Sequence, residues 1–305
     1  RAEALAQELV GPVPNLPFDP ELVISAVPIS AFSSVISALE ERHFKGGFID
    51  VASVKTKVKV DVSTSRLSSE RFLPTHPMAG REVGGAESAR ADLFQGRAWI
   101  IDSTDVDRDL LEKATSLISA LGADLIDLPV AEHDQAVALV SHLPQLVASL
   151  LANRLNLGSA EQLGLAGQGL RDTSRIAASD PQLWVQIVSQ NSHAIAPLLT
   201  QLKADLDHLS ESVANIDKSG SLAQIHGILQ GGNSGVARIP GKHGGKGNNF
   251  QVVTVVIEDA PGALASLLTF IGEIGVNLED LNLEHSPGAP IGLSRDARFS
   301  NCTDL

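Results

Sequence analysis

The sequence predicts an α/β protein that opens with a largely parallel sheet, continues as an all-helical part and ends in a smaller α+β part. Three observations carry this. Short β-branched runs alternate with helical periodicity up to about residue 130; periodicity is helical alone from Ala131 to about Val213; and Lys218–Asn249 holds nine of the chain's 26 glycines before a strand–helix–strand pattern resumes. The expected boundaries are therefore 1–130, 131–216, a flexible linker over 217–249, and 250–305. A 305-residue chain has room for two or three such cores, since single cores stop growing near ~250 residues.

Residues 21–27 (ELVISAV) form a short apolar run closed by Pro28, as a buried strand ending in a loop does. The stripe Phe32, Val35, Ile36, Leu39 predicts a helix, Gly46 and Gly47 interrupt it, and Phe48–Val51 supplies a second strand. After a polar stretch comes the strand Ala98–Ile101. A helix then carries Leu110, Leu111, Ala114, Leu117, Ile118 and Leu121, with Gly122 as its C-cap, and a further strand lies at Leu125–Leu128. Such alternation builds βαβ units, whose sheets hold ligands at the carboxyl ends of the strands. In the helical part, Leu143, Leu146, Val147, Leu150, Leu151 and Leu155 make one wide apolar face, and Asp180–Pro181 is a cap followed by proline at the first helical position. Beyond the linker, Val252–Ile257 reads as a strand, Pro261–Ile274 as an amphipathic helix and Val276–Glu284 as a strand.

Composition narrows the function. The chain is 43% hydrophobic and 19% charged, and no apolar run reaches the ~20 residues of a membrane span, so neither a membrane protein nor a disordered one is expected. A net charge of -13 repels a phosphate backbone, which leaves small molecules as the expected partners rather than nucleic acid. The single cysteine, Cys302, forms no internal disulfide, and no signal-peptide pattern opens the chain; a reducing cytoplasm fits. Met78 is the only methionine, so the sequence is expected to begin downstream of a natural start.

Four clusters could carry chemistry. Ser53 and Lys55 follow a buried strand and would emerge at the ligand-bearing edge of the sheet. His76 sits in Thr75-His76-Pro77-Met78-Ala79-Gly80, a turn bounded by proline and glycine, where it reads either as a general base near neutral pH or as a turn histidine bonded to backbone. His133 and His142 are nine positions apart and do not share a helix face at ~3.6 residues per turn, which argues against a zinc site. Arg171 and Arg175 follow a glycine turn; a guanidinium fork matches a carboxylate, and a salt bridge at a helix start fits equally. Residues 231–235 (GGNSG) lack the Gly-Lys-Ser/Thr ending of a phosphate loop and read as plain loop.

Taken in order, Ala26-Val27-Pro28, DVASVK at 50–55, THPMAG at 75–80, LFQG at 93–96, EHD and SHLPQ within 132–145, GLRDTSRIAASDPQLW at 169–184 and Gln190-Asn191 resemble the prephenate/arogenate dehydrogenase family of tyrosine biosynthesis over about residues 20–215. Arg238–Gly244 and the strand–helix–strand with Asp259–Leu264 resemble the first half of an ACT domain, a small βαββαβ regulatory module. The resemblance implies a partial Rossmann-type sheet domain, an all-helical dimerisation domain and an incomplete ACT-like domain. It implies oxidative decarboxylation of prephenate to 4-hydroxyphenylpyruvate with NAD or NADP, a homodimer, and feedback by an aromatic amino acid.

By the same resemblance His76 is the base, Ser53 orients it and the substrate hydroxyl, and Arg175, His142 and Gln145 contact substrate. Gln145 stands where many relatives carry a second histidine. Ala26, Val27, Pro28 and Ser53 lie along the cofactor, and Asp259, Gly262, Ala263, Leu264 and Asn277 hold the effector; no metal is implied. The family's glycine-rich turn and first βαβ unit would precede Arg1, and the polar stretch 294–305 shows no second ACT helix or fourth strand, so a chain clipped at both ends and impaired in turnover is expected. Competing expectations are an arogenate dehydrogenase, a non-catalytic aromatic-metabolite-binding protein, and, more distantly, a β-hydroxyacid dehydrogenase.

Overall fold

The computed structural model describes residues 20–80, 89–240, 251–258, 260–285 and 291–300. The chain divides into two compact units, 1–203 and 204–305. The first holds strands β1 (Leu22–Ser25), β2 (Gly47–Asp50) and β3 (Phe72–Leu73) in a parallel sheet, with helices α1 (Phe32–Glu41) and α2 (Thr56–Ser63) between them. Period-two alternation explains how this sheet is covered. Phe48 and Phe72 pair across β2 and β3 and pack with Phe32, Ile36, Leu39, Val58 and Val62; their neighbours Ile49 and Leu73 point the other way. There they meet Trp99 and Ile101 of β5 (Ala98–Ile101) and Leu110, Ala114 and Ile118 of α3 (Arg108–Ala120).

Strand β4 (Thr75–Pro77) runs antiparallel to β5, which pairs in parallel with the exposed strand β6 (Asp124–Asp127). The sequence predicts a turn for the THPMAG segment. Instead Thr75, His76 and Pro77 lie in register with Ile101, Ile100 and Trp99. Pro74, which has no N–H to give a ladder, separates β3 from β4. The polar stretch after β2 likewise holds α2, whose buried Val58 and Val62 are its apolar stripe. Glycine acts where the sequence suggests: a Cβ on Gly46 would lie 2.6 and 2.7 Å from the carbonyl oxygens of Pro20 and Glu21, and Gly122 has φ +72° just past the end of α3.

Helix α4 (Val130–Val137), a π turn (Ala138–His142) and α5 (Leu143–Arg154) run on as one stretch. The 28 residues 130–157 are long and apolar enough to cross a bilayer, and they carry the buried polar side chains His133, Asp134, His142 and Gln145. Then follow α6 (Ala160–Leu163), α7 (Gln168–Ser174), a 3-10 turn (Arg175–Ala178) and α8 (Pro181–Gln190), which the Asp180 side chain caps through the N–H of Gln182 at 2.9 Å.

Helix α9 (Ser192–Ala214) passes from the first unit into the second, where α10 (Ser221–Val236) occupies much of the expected glycine-rich linker. Residues 231–235, expected as a loop, are its last turns. Leu222, Ile225, Ile228 and Leu229 carry helical spacing through the glycines, although each glycine costs a helix about 0.5–1 kcal/mol relative to alanine. The second unit ends with β7 (Gln251–Glu258), α11 (Ala263–Glu273), β8 (Asn277–His285) and β9 (Ile291–Ser300), in an antiparallel sheet ordered β7-β9-β8. The stretch 294–300, expected to be irregular, is therefore part of the central strand of that sheet. Of the expected effector residues, Gly262 has φ +90° at the start of α11, Ala263 and Leu264 open that helix, and Asn277 begins β8. Asp259 and Cys302 lie outside the described residues.

Candidate active site

The carboxyl end of β2 sets the frame. Asp50, fully buried, pairs with the Lys55 ammonium, and the Asp50 carbonyl accepts from the Thr75 hydroxyl at 2.5 Å. Lys55 also donates to the Thr75 carbonyl at 2.6 Å. Lys55, expected at the ligand-bearing edge, is thus 2% exposed and ties β2 to β4. Burial pushes the Asp50 carboxyl up and the Lys55 ammonium down, each opposed by the other's charge. Removing one partner of so buried a pair costs about 3–5 kcal/mol, because the other charge is left unpaired. The result is a fixed β4, and His76 rides on it.

His76 Nδ1 lies 2.9 Å from Nε2 of His133, whose Nδ1 lies 2.8 Å from Oδ1 of Asp134. Asp134 also accepts the backbone N–H groups of Lys55 and Thr56, at 2.9 and 2.8 Å. Burial alone would raise the Asp134 carboxyl, but the hydrogen bonds from His133 and from these amides prevail and bring it down to about 2. For His76, burial and then the Lys55 charge lower the pKa well below 6.5, with His133 and His142 adding to the effect, so the ring is neutral at pH 7. Burial lowers His142 to about 4.

The two motif histidines on the 130–157 stretch, expected to diverge around a helix, belong to one polar array. Between them the π turn inserts an extra residue per turn and changes the phase of the α-helix. Asn191, fully buried, completes the array: its Nδ2 donates to the Asp134 carbonyl at 2.7 Å and lies 3.2 Å from His142 Nδ1. Trp184 stands edge-on to His142 with ring centroids 5.9 Å apart.

A cavity of about 490 Å³ opens onto this array, lined among others by Ser53, His76, His142, Gln145, Asp180 and Trp184. The size suits a small metabolite beside part of a cofactor. Of the residues expected from sequence, Ser53, His76, His142 and Gln145 are brought together here. No hydrogen bond joins Ser53 to His76 among the described residues, and Gln145 Nε2 reaches Ser149 Oγ at 3.4 Å. Arg175 is exposed and does not line the cavity, although the next residue, Ile176, does. Ala26, Val27 and Pro28 follow the carboxyl end of β1 and are exposed. His133, Asp134, Asn191 and Trp184 have no role assigned from sequence, although each lies within a motif segment.

The arrangement can place the neutral His76, on β4, against a hydroxyl in a cavity that Ser53, just past the carboxyl end of β2 in the parallel sheet, also lines, which suits general-base removal of a hydroxyl proton. Comparison with known proteins agrees. Residues 18–127 match the model described as the prephenate dehydrogenase nucleotide-binding domain, and residues 129–227 match the prephenate dehydrogenase dimerization domain.

The chain belongs to the prephenate dehydrogenase family. A Streptomyces niveus protein named "Probable prephenate dehydrogenase" is 29% identical over 278 residues, covering 88% of this chain and 77% of that protein. A cyclohexadienyl dehydrogenase of Zymomonas mobilis is 30% identical over 226 residues, 71% of this chain and 76% of that protein. Among solved structures, the prephenate dehydrogenase of Aquifex aeolicus in complex with hydroxyphenyl propionate and NAD⁺ superimposes with a TM-score of 0.65 at 23% identity, covering 76% of this chain and 84% of that one. This family member is an NAD-dependent oxidoreductase with a Rossmann-like parallel-sheet domain followed by a helical domain.

Proposed function

We propose that the chain oxidatively decarboxylates prephenate to 4-hydroxyphenylpyruvate with NAD, using His76 as general base. The observation that carries this is the neutral His76, held by β4 and His133 at the wall of a cavity of substrate size. The carboxyl ends of β1 and β2 suit a dinucleotide: Ser25 Oγ is buried there without a partner among the described residues, and Ala26–Pro28 present an open rim. Ala26, Val27, Pro28 and Ser53 would hold the cofactor, which when bound supplies the hydride acceptor. NADP is the alternative carrier.

His76 takes the proton of the ring hydroxyl. As the carbinol carbon is oxidised, positive charge builds on it and the hydroxyl grows more acidic, so a neutral imidazole in place lowers the barrier. Ser53, on the same cavity wall, orients that hydroxyl. His142 and Gln145 face the acidic end of the substrate, and Arg175, one residue from the wall, supplies a guanidinium for its carboxylate. Loss of carbon dioxide from the opposite ring carbon then leaves its bond pair in the ring, which restores aromaticity, and the ring oxygen takes the proton back from His76 to give the phenol.

The cyclohexadienyl dehydrogenase relative favours arogenate as a second substrate of the same cavity, since the two molecules differ only in the side chain. We further propose a homodimer. The dimerization-domain match and the exposed apolar residues Leu206, Val213, Leu222, Leu229 and Val236 support it. The β7–α11–β8–β9 unit, with β9 between its neighbours, is the strand order of the first part of a βαββαβ module and supports an ACT-like site for an aromatic amino acid around Gly262, Ala263, Leu264 and Asn277. Assaying prephenate and arogenate with NAD⁺ and NADP⁺, with and without tyrosine, tests the catalytic and effector readings, and the native mass of the intact chain in solution tests the homodimer; inactivity with both substrates would sink the catalytic proposal.

A further inference from the structure

The two cavity histidines meet different partners at the same ring atom. His76 uses Nδ1 to reach His133, and His142 uses Nδ1 to reach Asn191. At the far end of the first chain stands Asp134, an ionised carboxylate that can only accept. The 2.8 Å contact therefore needs a proton on His133 Nδ1. A singly protonated His133 then has its lone pair at Nε2, so the 2.9 Å contact needs a proton on His76 Nδ1.

The second chain runs the other way. Asn191 must turn its Nδ2 to the Asp134 carbonyl at 2.7 Å, because the flipped amide would set two acceptor oxygens against each other. The same Nδ2 lies 3.2 Å from His142 Nδ1 and donates a hydrogen bond to it, so that nitrogen carries the lone pair. The choice has a cost: Asn191 Oδ1 is buried without a hydrogen-bond partner among the described residues.

We infer that Asp134 and Asn191 are positioning residues that fix opposite tautomers on the two cavity histidines. His76 keeps Nε2 as an acceptor and His142 keeps Nε2–H as a donor. The cavity then matches a molecule that offers one hydroxyl proton and one carboxylate oxygen, and rejects the exchange of the two. Lys55 and Thr56 hold the Asp134 carboxylate through their backbone N–H groups, so the tautomer of His76 is set by the loop that also bears Ser53.

This inference builds on His76 as the base, but its test needs no substrate. Ring ¹⁵N chemical shifts of the histidines in the intact chain near neutral pH separate protonated from unprotonated nitrogens. Expected are Nδ1–H with a bare Nε2 for His76, and a bare Nδ1 with Nε2–H for His142. The reverse assignment at either ring, or a His133 protonated on both nitrogens, overturns the inference. Kinetics add a second readout. His133→Leu removes the acceptor and should lower kcat by about tenfold or more with KM little changed, as a wrong tautomer does in the serine-protease triad, while His133→Gln restores an acceptor oxygen and part of the rate. Asn191→Ala should raise KM with kcat little changed. Equal losses in His133→Leu and His133→Gln would count against the relay. Correct tautomers without turnover of prephenate would sink only the proposed function.

Discussion

Replacing His76 by asparagine removes the proposed base while keeping a polar side chain of similar reach. The asparagine amide can still donate to His133 Nε2, the contact His76 makes at 2.9 Å, so β4 and the Asp50–Lys55–Thr75 clamp should stay intact. What is lost is the nitrogen that accepts the substrate proton. A positioned general base contributes about 10²–10⁴-fold, equivalent to about 3–5 kcal/mol of transition-state stabilisation. The prediction is a fall in kcat of that size, with the KM values for prephenate and NAD⁺ changed by no more than about threefold, since the lost interaction acts in the transition state. Initial rates of NADH formation measure it, and a thermal melt confirms the fold. A kcat within about threefold of the parent would refute His76 as the base.

The remaining predictions use the same geometry. Because His76 is depressed well below 6.5, kcat/KM should hold level as pH falls through 6.5 and decline only below it; half-loss at or above 6.5 would contradict the burial effect. Asp134 is held at about 2 against an ordinary 3.8, so its ionised form should contribute up to about 2 kcal/mol of stability. That contribution is present above pH 3.8 and lost as pH falls through 2; Asp134→Asn should flatten acid-unfolding curves in this window, and an unchanged slope would remove Asp134 from the account. Gly46→Ala should cost about 1–3 kcal/mol in denaturant unfolding, since its Cβ meets two backbone carbonyls. Gly47→Ala should cost less, because its nearest contact, Leu110 Cδ1 at 2.5 Å, can move.

The parts of the fold governed by local rules are legible in the sequence. Strands β1, β2, β5 and β6 and helices α1 and α3 follow from apolar runs and a clean 3.6-residue stripe, and the Asp180 cap from residue type alone. The failures have different causes, one tertiary and two compositional. His76 looks like a turn residue because Pro77 and Gly80 punctuate the segment, yet pairing with β5 draws it into a strand. Helix α10 is hidden by its glycines, whose propensity cost masks a readable stripe at Leu222, Ile225, Ile228 and Leu229. Strand β9 is hidden by its polar composition.

The candidate site divides the same way. Ser53, His76, His142 and Gln145 can be named from motifs, whereas the Asp134–His133–His76 chain closes through a contact between side chains 57 positions apart, and the phase of His142 follows a π turn that no helical wheel anticipates. Lys55 misleads because strand-end position alone does not tell a ligand from a clamp; Asp50, five residues earlier, is the signal.

The most direct measurement is the stoichiometry of turnover by the purified chain with prephenate and NAD⁺, following NADH, carbon dioxide and 4-hydroxyphenylpyruvate together. Equal amounts of all three, abolished in parallel by His76→Asn, are the predicted result. NADH without carbon dioxide, or no turnover under conditions where the fold is intact, would contradict it.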